Sequence, residues 1–190
     1  MHNPRLLQLS GVELRLLFPF AAWIALAGCG SKESVTARFA LEPIGMPESE
    51  LAAISAILAE FNQRLGSNIA SLCTENCNGV IEFVSPREDG VVGLCEPSTY
   101  VRSKSHFSMK KGWIRQRKSE LRADIKISSD LRNRGNQEFL RTIIFHELGH
   151  GLLLDHSSNE HDVMFAVVNG EKNFDMYFEQ VRWKLQEISK

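Results

Sequence analysis

A chain of 190 residues with 43% hydrophobic side chains is one domain's worth of sequence and enough for a proper core. Its 22 basic and 23 acidic residues leave a net charge of −1, a balance that argues against a general nucleic-acid binder. No internal repeat or low-complexity run suggests a repeat array or a second domain, so function has to be sought in local motifs.

The first 28 residues stand apart from the fold. Arg5 and Arg15 precede an apolar run, Leu16 to Ala27, interrupted only by Pro19. That run is too short for a comfortable membrane span and fits the apolar region of a secretory signal. Leu26-Ala27-Gly28-Cys29 then resembles the bacterial lipobox. The resemblance implies cleavage before Cys29, a lipid on its sulfur, and an exported protein anchored to the cell envelope. Gly30 in place of aspartate points to the outer membrane. An ordinary signal peptide, or a buried apolar helix containing Cys29, is the alternative. On the lipobox reading the mature chain runs from Cys29 to Lys190 with a net charge of −2. Residues 29–45 are then a tether and first strand, and 46–190 the main domain.

Ser31 to Ser34 reads as tether. Val35, Ala37, Phe39 and Leu41 alternate with Thr36, Arg38 and Ala40, which predicts a first strand over about 35–41. Leu51, Ile54, Leu58, Phe61 and Leu65 recur at steps of three and four, predicting a long helix from about Pro47, closed by Gly66. Strand-like runs at Val80–Val84 and Val91–Leu94 follow, separated by Pro86 and Asp89-Gly90. Cys73, Cys77 and Cys95 lie in this segment, and in an exported protein a disulfide is expected. Cys73 with Cys77, or either with Cys95, is possible; spacing does not choose. A second metal site on these sulfurs is a sharper alternative, weakened by the lack of a close C-x-x-C pair.

Between Pro97 and Ser119 stand seven basic residues, Arg102, Lys104, Lys110, Lys111, Arg115, Arg117 and Lys118, and no acidic one, with Tyr100, Phe107 and Trp113 among them. One reading is a groove rim for acidic substrates or anionic lipid headgroups. The other is a solvated strand pair or loop whose charges protect an edge. Leu121 to Ser128 alternates cleanly as a half-buried strand, and Asp130 to Asn136 turns the chain into a helix starting near Asn136.

That helix carries the chemistry. His146 and His150 are four residues apart, about 40° around a helix axis, so both project from one face and can grip one ion, with Glu147 beside them. A catalytic zinc takes three protein ligands and keeps a fourth position open. His156 is the candidate third, but a continued helix would carry it to the wrong side, so the helix has to stop. Gly151 can stop it by entering a left-handed conformation.

His146-Glu147-Leu148-Gly149-His150, with His156 and then Met164, resembles the metzincin zinc metallopeptidases, H-E-x-x-H-x-x-G-x-x-H followed by a Met-turn. The short step from His156 to Met164 is most similar to the matrixin branch. The resemblance implies a compact α+β domain with a small mixed twisted sheet, a long N-terminal helix, an active-site helix and a C-terminal helix. It implies one catalytic Zn2+ held by His146, His150 and His156, Glu147 as general base, and Met164 as the hydrophobic floor of the Met-turn. The implied activity is a metalloendopeptidase acting on a peptide or protein substrate, on a monomer, with no nucleic acid involved. One residue departs: the family's glycine falls at Leu153. If Leu153 takes a positive φ it costs roughly 1–2 kcal/mol. Otherwise Gly151 makes the turn, or the loop differs and His161 or Asp155 stands in for His156. Leu153 is also the feature that favours a rival, a non-catalytic envelope lipoprotein using the scaffold to bind a protein partner. A site completed by Glu171 or Glu179 is a third possibility. Phe165 to Gly170 reads as a loop walling the substrate pocket, and Phe174, Tyr177, Phe178, Val181, Leu185 and Ile188 predict a last amphipathic helix from about Asn173.

Overall fold

A computed structural model describes residues 32–189, apart from 111, 134–136 and 168–169. The expected signal segment and Cys29 lie outside the described residues. The long strand Leu121–Ser128 begins much earlier than its apolar alternation suggested, and the strands are arranged around it. In chain order the elements are β1 (Lys32–Ala37), β2 (Phe39–Ile44), α1 (Glu48–Leu65), β3 (Ala70–Leu72), β4 (Gly79–Val84), β5 (Gly93–Ser108), β6 (Gly112–Ser128), a 3-10 turn (Ser129–Asn133), α2 (Gln137–Gly151) and α3 (Phe174–Ile188).

One edge of β6 is antiparallel to β5 along its whole length, from Gly93 opposite Ile127 to Ser108 opposite Gly112. Its other edge is shared. β1 runs parallel to residues 116–121, and β4 runs parallel to residues 125–128. β2 then pairs with β4, and β3 with β2, all parallel. The fold is thus α+β, a mostly parallel sheet with one long antiparallel hairpin.

The single first strand expected at 35–41 is two strands, and the tether residues 32–34 belong to the first of them. The chain follows β6, breaks at Arg38, and then follows β4, which wedges between. Asn78, just ahead of β4, fills the split. Its side chain accepts from the Ala40 amide at 2.7 Å and donates to the Arg38 carbonyl at 2.6 Å and to the Glu120 carboxylate at 2.7 Å. Strand separation leaves backbone groups without a ladder, and a side-chain amide restores them. Gly79 follows because a Cβ there would stand 2.1 Å from the Ala123 carbonyl oxygen.

Leu121, Ala123, Ile125 and Ile127 present one face of β6 to the core, where Ile54, Leu58 and Phe61 of α1 meet Ile143, Ile144, Phe145 and Leu148 of α2. α3 closes this layer. Its Phe178 joins Phe61 and Phe145 in a cluster with ring centroids 5.4–5.6 Å apart. Both helix boundaries read from sequence have a local cause: Gly66 caps α1 at φ 65°, and the Asn173 side chain accepts the Met176 amide at the start of α3. Among the described residues no helix is long and apolar enough to cross a membrane.

Cys73 and Cys77 form a disulfide across the β3–β4 connection, and Cys95 is a buried free thiol. Links to Cys95 and a three-sulfur metal site are thereby excluded. The basic segment is a strand pair, the outer part of the β5–β6 hairpin, and it does not line the cleft.

Candidate metal centre

Helix α2 runs under the sheet and ends at the site. His146 and His150 lie one turn apart on it, and the chain reverses immediately after Gly151. The reversal is a Schellman turn: the Leu154 amide donates to the Gly149 carbonyl at 2.9 Å and the Leu153 amide to the His150 carbonyl at 2.8 Å. The left-handed residue in it is Leu153, φ 62°, at the position where the metzincin motif has glycine. The expectation that Gly151 makes the turn is therefore incorrect. Gly151 is the last helical residue, and its lack of a side chain serves packing, since a Cβ would lie 3.0 Å from the Ala123 Cβ and 3.1 Å from the Phe39 ring. Leu153 bears the strain with its side chain 47% exposed over the cleft.

The turn brings the third histidine round. Nε2 of His150 lies 3.0 Å from Nε2 of His146 and 3.2 Å from Nε2 of His156. His161 stays outside this group, exposed, with Nδ1 facing the Glu171 carbonyl. Among the described residues no aspartate or glutamate joins the three imidazoles, so Asp155, Glu171 and Glu179 are not needed to complete a ligand set.

The outward nitrogens of two of these rings are already committed. His146 Nδ1 donates to the Val163 carbonyl at 2.7 Å, and His150 Nδ1 donates to the Leu154 carbonyl at 2.9 Å. A carbonyl only accepts, so both protons sit on Nδ1 and both Nε2 atoms carry lone pairs. Two lone pairs aimed at each other across 3.0 Å repel, and a cation between them removes the conflict. Nitrogens each about 2.0–2.1 Å from a tetrahedral zinc stand roughly 3.3 Å from one another, close to the spacing found. The donor set and its spacing fit zinc. Burial, the largest influence, also pushes His146 down to about 4, so it is neutral and ready to ligate at ordinary pH.

Glu147 points the other way around the helix, toward the start of β5. It accepts from the Cys95 amide, while its Oε2 is buried with no partner. Gly93 makes this possible, because a Cβ there would sit 2.3 Å from Glu147 Oε1. Burial outweighs the Cys95 hydrogen bond and raises the Glu147 carboxyl to about 8. All three histidines and Glu147 line one cleft of about 800 Å³, between the Val91–Cys95 segment above and Leu153–His156 below, with Ala166 and Val167 as a further wall.

Met164 lies beneath, fully buried. Gly149 admits it, since a Cβ there would be 2.4 Å from its sulfur. The segment around it is fixed from three sides. Ser157 donates to the Met164 carbonyl, tying the chain just after His156 to the Met-turn. Buried Asp162 accepts the Met164 amide at 3.0 Å and the Gln180 side chain at 2.8 Å, and Tyr177 of α3 donates to the Phe145 carbonyl. Gly93, Gly149, Asp162 and Tyr177 were not singled out as site residues from sequence. Only the isolated glycine in a strand pattern, Gly93, carried a signal, because such a glycine marks a close backbone approach.

In comparison with known families, residues 87–182 match the model described as Matrixin, of the M10 peptidases, just over half of the chain. No curated protein matches the chain.

Proposed function

The chain belongs to the matrixin family of metallopeptidases, and on that premise we propose that it is a zinc-dependent endopeptidase held at the bacterial cell envelope by a lipid on Cys29. The observation that carries the catalytic part is the convergence of three imidazole Nε2 atoms within 3.0–3.2 Å along the triad, with tautomers set by the Val163 and Leu154 carbonyls.

His146, His150 and His156 would hold the ion. When bound, zinc supplies Lewis acidity, polarising a carbonyl and lowering the pKa of water to about 7. The rest is done by the chain. Glu147 takes the proton of the attacking water and delivers it to the leaving amine. Its raised affinity for a proton, set by burial, suits a group that must both take and give one near neutral pH. Gly93 and the Cys95 amide hold that carboxylate over the cleft. The outer edge of β5 at Gly93–Glu96 pairs with no other described strand, and an extended substrate can add along its backbone groups beside the Cys95 amide that Glu147 holds. Ala166 and Val167 wall the pocket where a substrate side chain would enter. Met164 gives the histidines an apolar floor.

The anchoring part rests on Leu26-Ala27-Gly28-Cys29 after its apolar run, and Gly30 directs the reading to the outer membrane. The disulfide between Cys73 and Cys77 suits an oxidising compartment. A monomer acting on peptide or protein substrates, without nucleic acid, completes the reading.

The test is metal analysis with casein or peptide cleavage. About one zinc per chain, with cleavage abolished in Glu147→Gln while zinc is retained, is the expected result. Zinc without cleavage in the wild type would instead assign the fold to a binding scaffold. Mass spectrometry of the wild-type chain, with loss of the lipid mass in Cys29→Ser, tests the anchor.

A further inference from the structure

The outer half of the β5–β6 hairpin takes no part in the cleft. The cleft's lining from β5 ends at Pro97, and Phe107 lies ten residues further out, roughly 33 Å along a strand. Beyond Gln116, where β1 begins to pair, the hairpin is a two-stranded ribbon that no other described strand joins. Its tip carries large apolar side chains in the open: Phe107 is 58% exposed, Trp113 63% and Met109 96%. Phe107 and Trp113 are cross-strand partners on one face, their ring centroids 5.7 Å apart.

The charge pattern is as unusual. Seven basic residues and no acidic one lie between Pro97 and Ser119. The register sets Arg102 directly opposite Lys118, a like-charge pair that costs stability. The acids that flank the stretch are engaged elsewhere, Glu96 with Lys126 and Glu120 with Asn78. A ribbon that exposes aromatic rings at its end, with cations along its shaft, matches the layering of a lipid interface: rings at headgroup depth, ammonium groups at the phosphates.

We propose that the β5–β6 ribbon is a membrane-docking arm whose tip, Phe107, Met109 and Trp113, enters the interface of an anionic phospholipid bilayer while Arg102, Lys104, Lys110 and Lys118 meet its phosphates. The direction in which the chain enters the fold agrees. Lys32 is in register with Gln116, at the outer half of the ribbon, and Cys29 is three residues earlier, a span of at most about 11 Å. The lipid of the reading above would therefore emerge beside the arm, and the two together would fix the cleft's orientation to the membrane. The arm's own contact does not need the lipid.

The test uses the mature chain of that reading, residues 29–190, with Cys29→Ser and Trp183→Phe, which leaves Trp113 as the single tryptophan. Vesicles with brominated acyl chains are added, either rich in phosphatidylglycerol or of pure phosphatidylcholine. Quenching of Trp113 by the anionic vesicles, weakened by salt and absent with phosphatidylcholine, is expected. Lys104→Glu with Lys110→Glu should weaken vesicle affinity at least about tenfold, with soluble peptide cleavage unchanged. Lys104→Gln with Lys110→Gln should give a smaller loss in the same direction, which separates charge from misfolding. No quenching by anionic vesicles, or equal quenching by both kinds, overturns the proposal. Binding of poly-glutamate without vesicle quenching also overturns it, and assigns the arm to acidic peptides.

Discussion

The turn at residues 146–164 and the ribbon at residues 98–118 are both irregular to the eye of a sequence reader, yet they are built on opposite principles. In the turn two of the three rings are held twice, His146 by helix α2 and by the Val163 carbonyl, His150 by the helix and by the Leu154 carbonyl, and the chain just beyond His156 is tied to Met164. Apolar mass lies behind them, with Met164 and Val163 fully buried. Among the described residues the ribbon has no such backing: beyond the β1 pairing at 116–118 it has its own ladder and exposed side chains. A site that does chemistry needs over-determined geometry, whereas a surface that meets a soft, extended partner needs reach and exposure. Substitutions should therefore be costly in one region and cheap in the other.

The largest effect expected is that of Glu147→Gln, which removes the base and should lower kcat by about 10²–10⁴-fold with zinc content unchanged. In the metal-free chain the same substitution has a pH signature. Burial raises the folded-state carboxyl to about 8 from 4.5, so the folded state binds more protons than the unfolded one between those values. The contribution is complete below pH 4.5 and is lost as pH rises through about 8. Thermal melts from pH 5 to 8 should fall in the metal-free wild type more steeply than in the variant.

Gly149→Ala comes next. The added methyl group would press on Met164, and overpacking of this kind costs about 1–3 kcal/mol, read as a lowered denaturation midpoint together with weaker zinc retention. Leu153→Gly should act in the opposite sense, relieving the left-handed leucine and stabilising the fold by roughly 1–2 kcal/mol less the small burial lost from a half-exposed side chain. Smallest is Phe107→Ser at the ribbon's tip, expected to change stability by less than about 0.5 kcal/mol, since it leaves the core untouched. A large destabilisation there, or a neutral Gly149→Ala, would break the contrast between the two regions.

The same contrast explains what was legible in the sequence. Spacing within one helix is a local property, so His146, His150 and Glu147 could be placed from the sequence alone, and the apolar stripes of α1, α2 and α3 gave their lengths closely. β6 was recognised only over Leu121–Ser128, where one face is buried; its outer part and most of β5 have no apolar face, and period-two alternation fades in a ribbon wet on both sides. The break between β1 and β2 depends on β4 arriving from some forty residues away, which no local pattern records. The sequence points to the nearest glycine, Gly151, as the helix stop, because conformational freedom is what a sequence suggests of glycine. The fold uses Gly151 for close packing and places Leu153 in the left-handed position, where the Schellman hydrogen bonds and the ordering of His150 offset the strain. The cysteine pairing is open from sequence because burial, not spacing, decides it: the fold puts Cys95 in the core and leaves Cys73 to join Cys77, four residues away.

The claim on which the rest depends is that His156 completes a three-imidazole zinc site. X-ray absorption at the zinc edge, on the zinc-loaded wild type and on His156→Ala, tests it most directly. The account predicts a first shell of nitrogen and oxygen near 2.0–2.1 Å with three imidazoles in the wild type and two in the variant. An unchanged shell in the variant, or a sulfur ligand in the wild type, would contradict it.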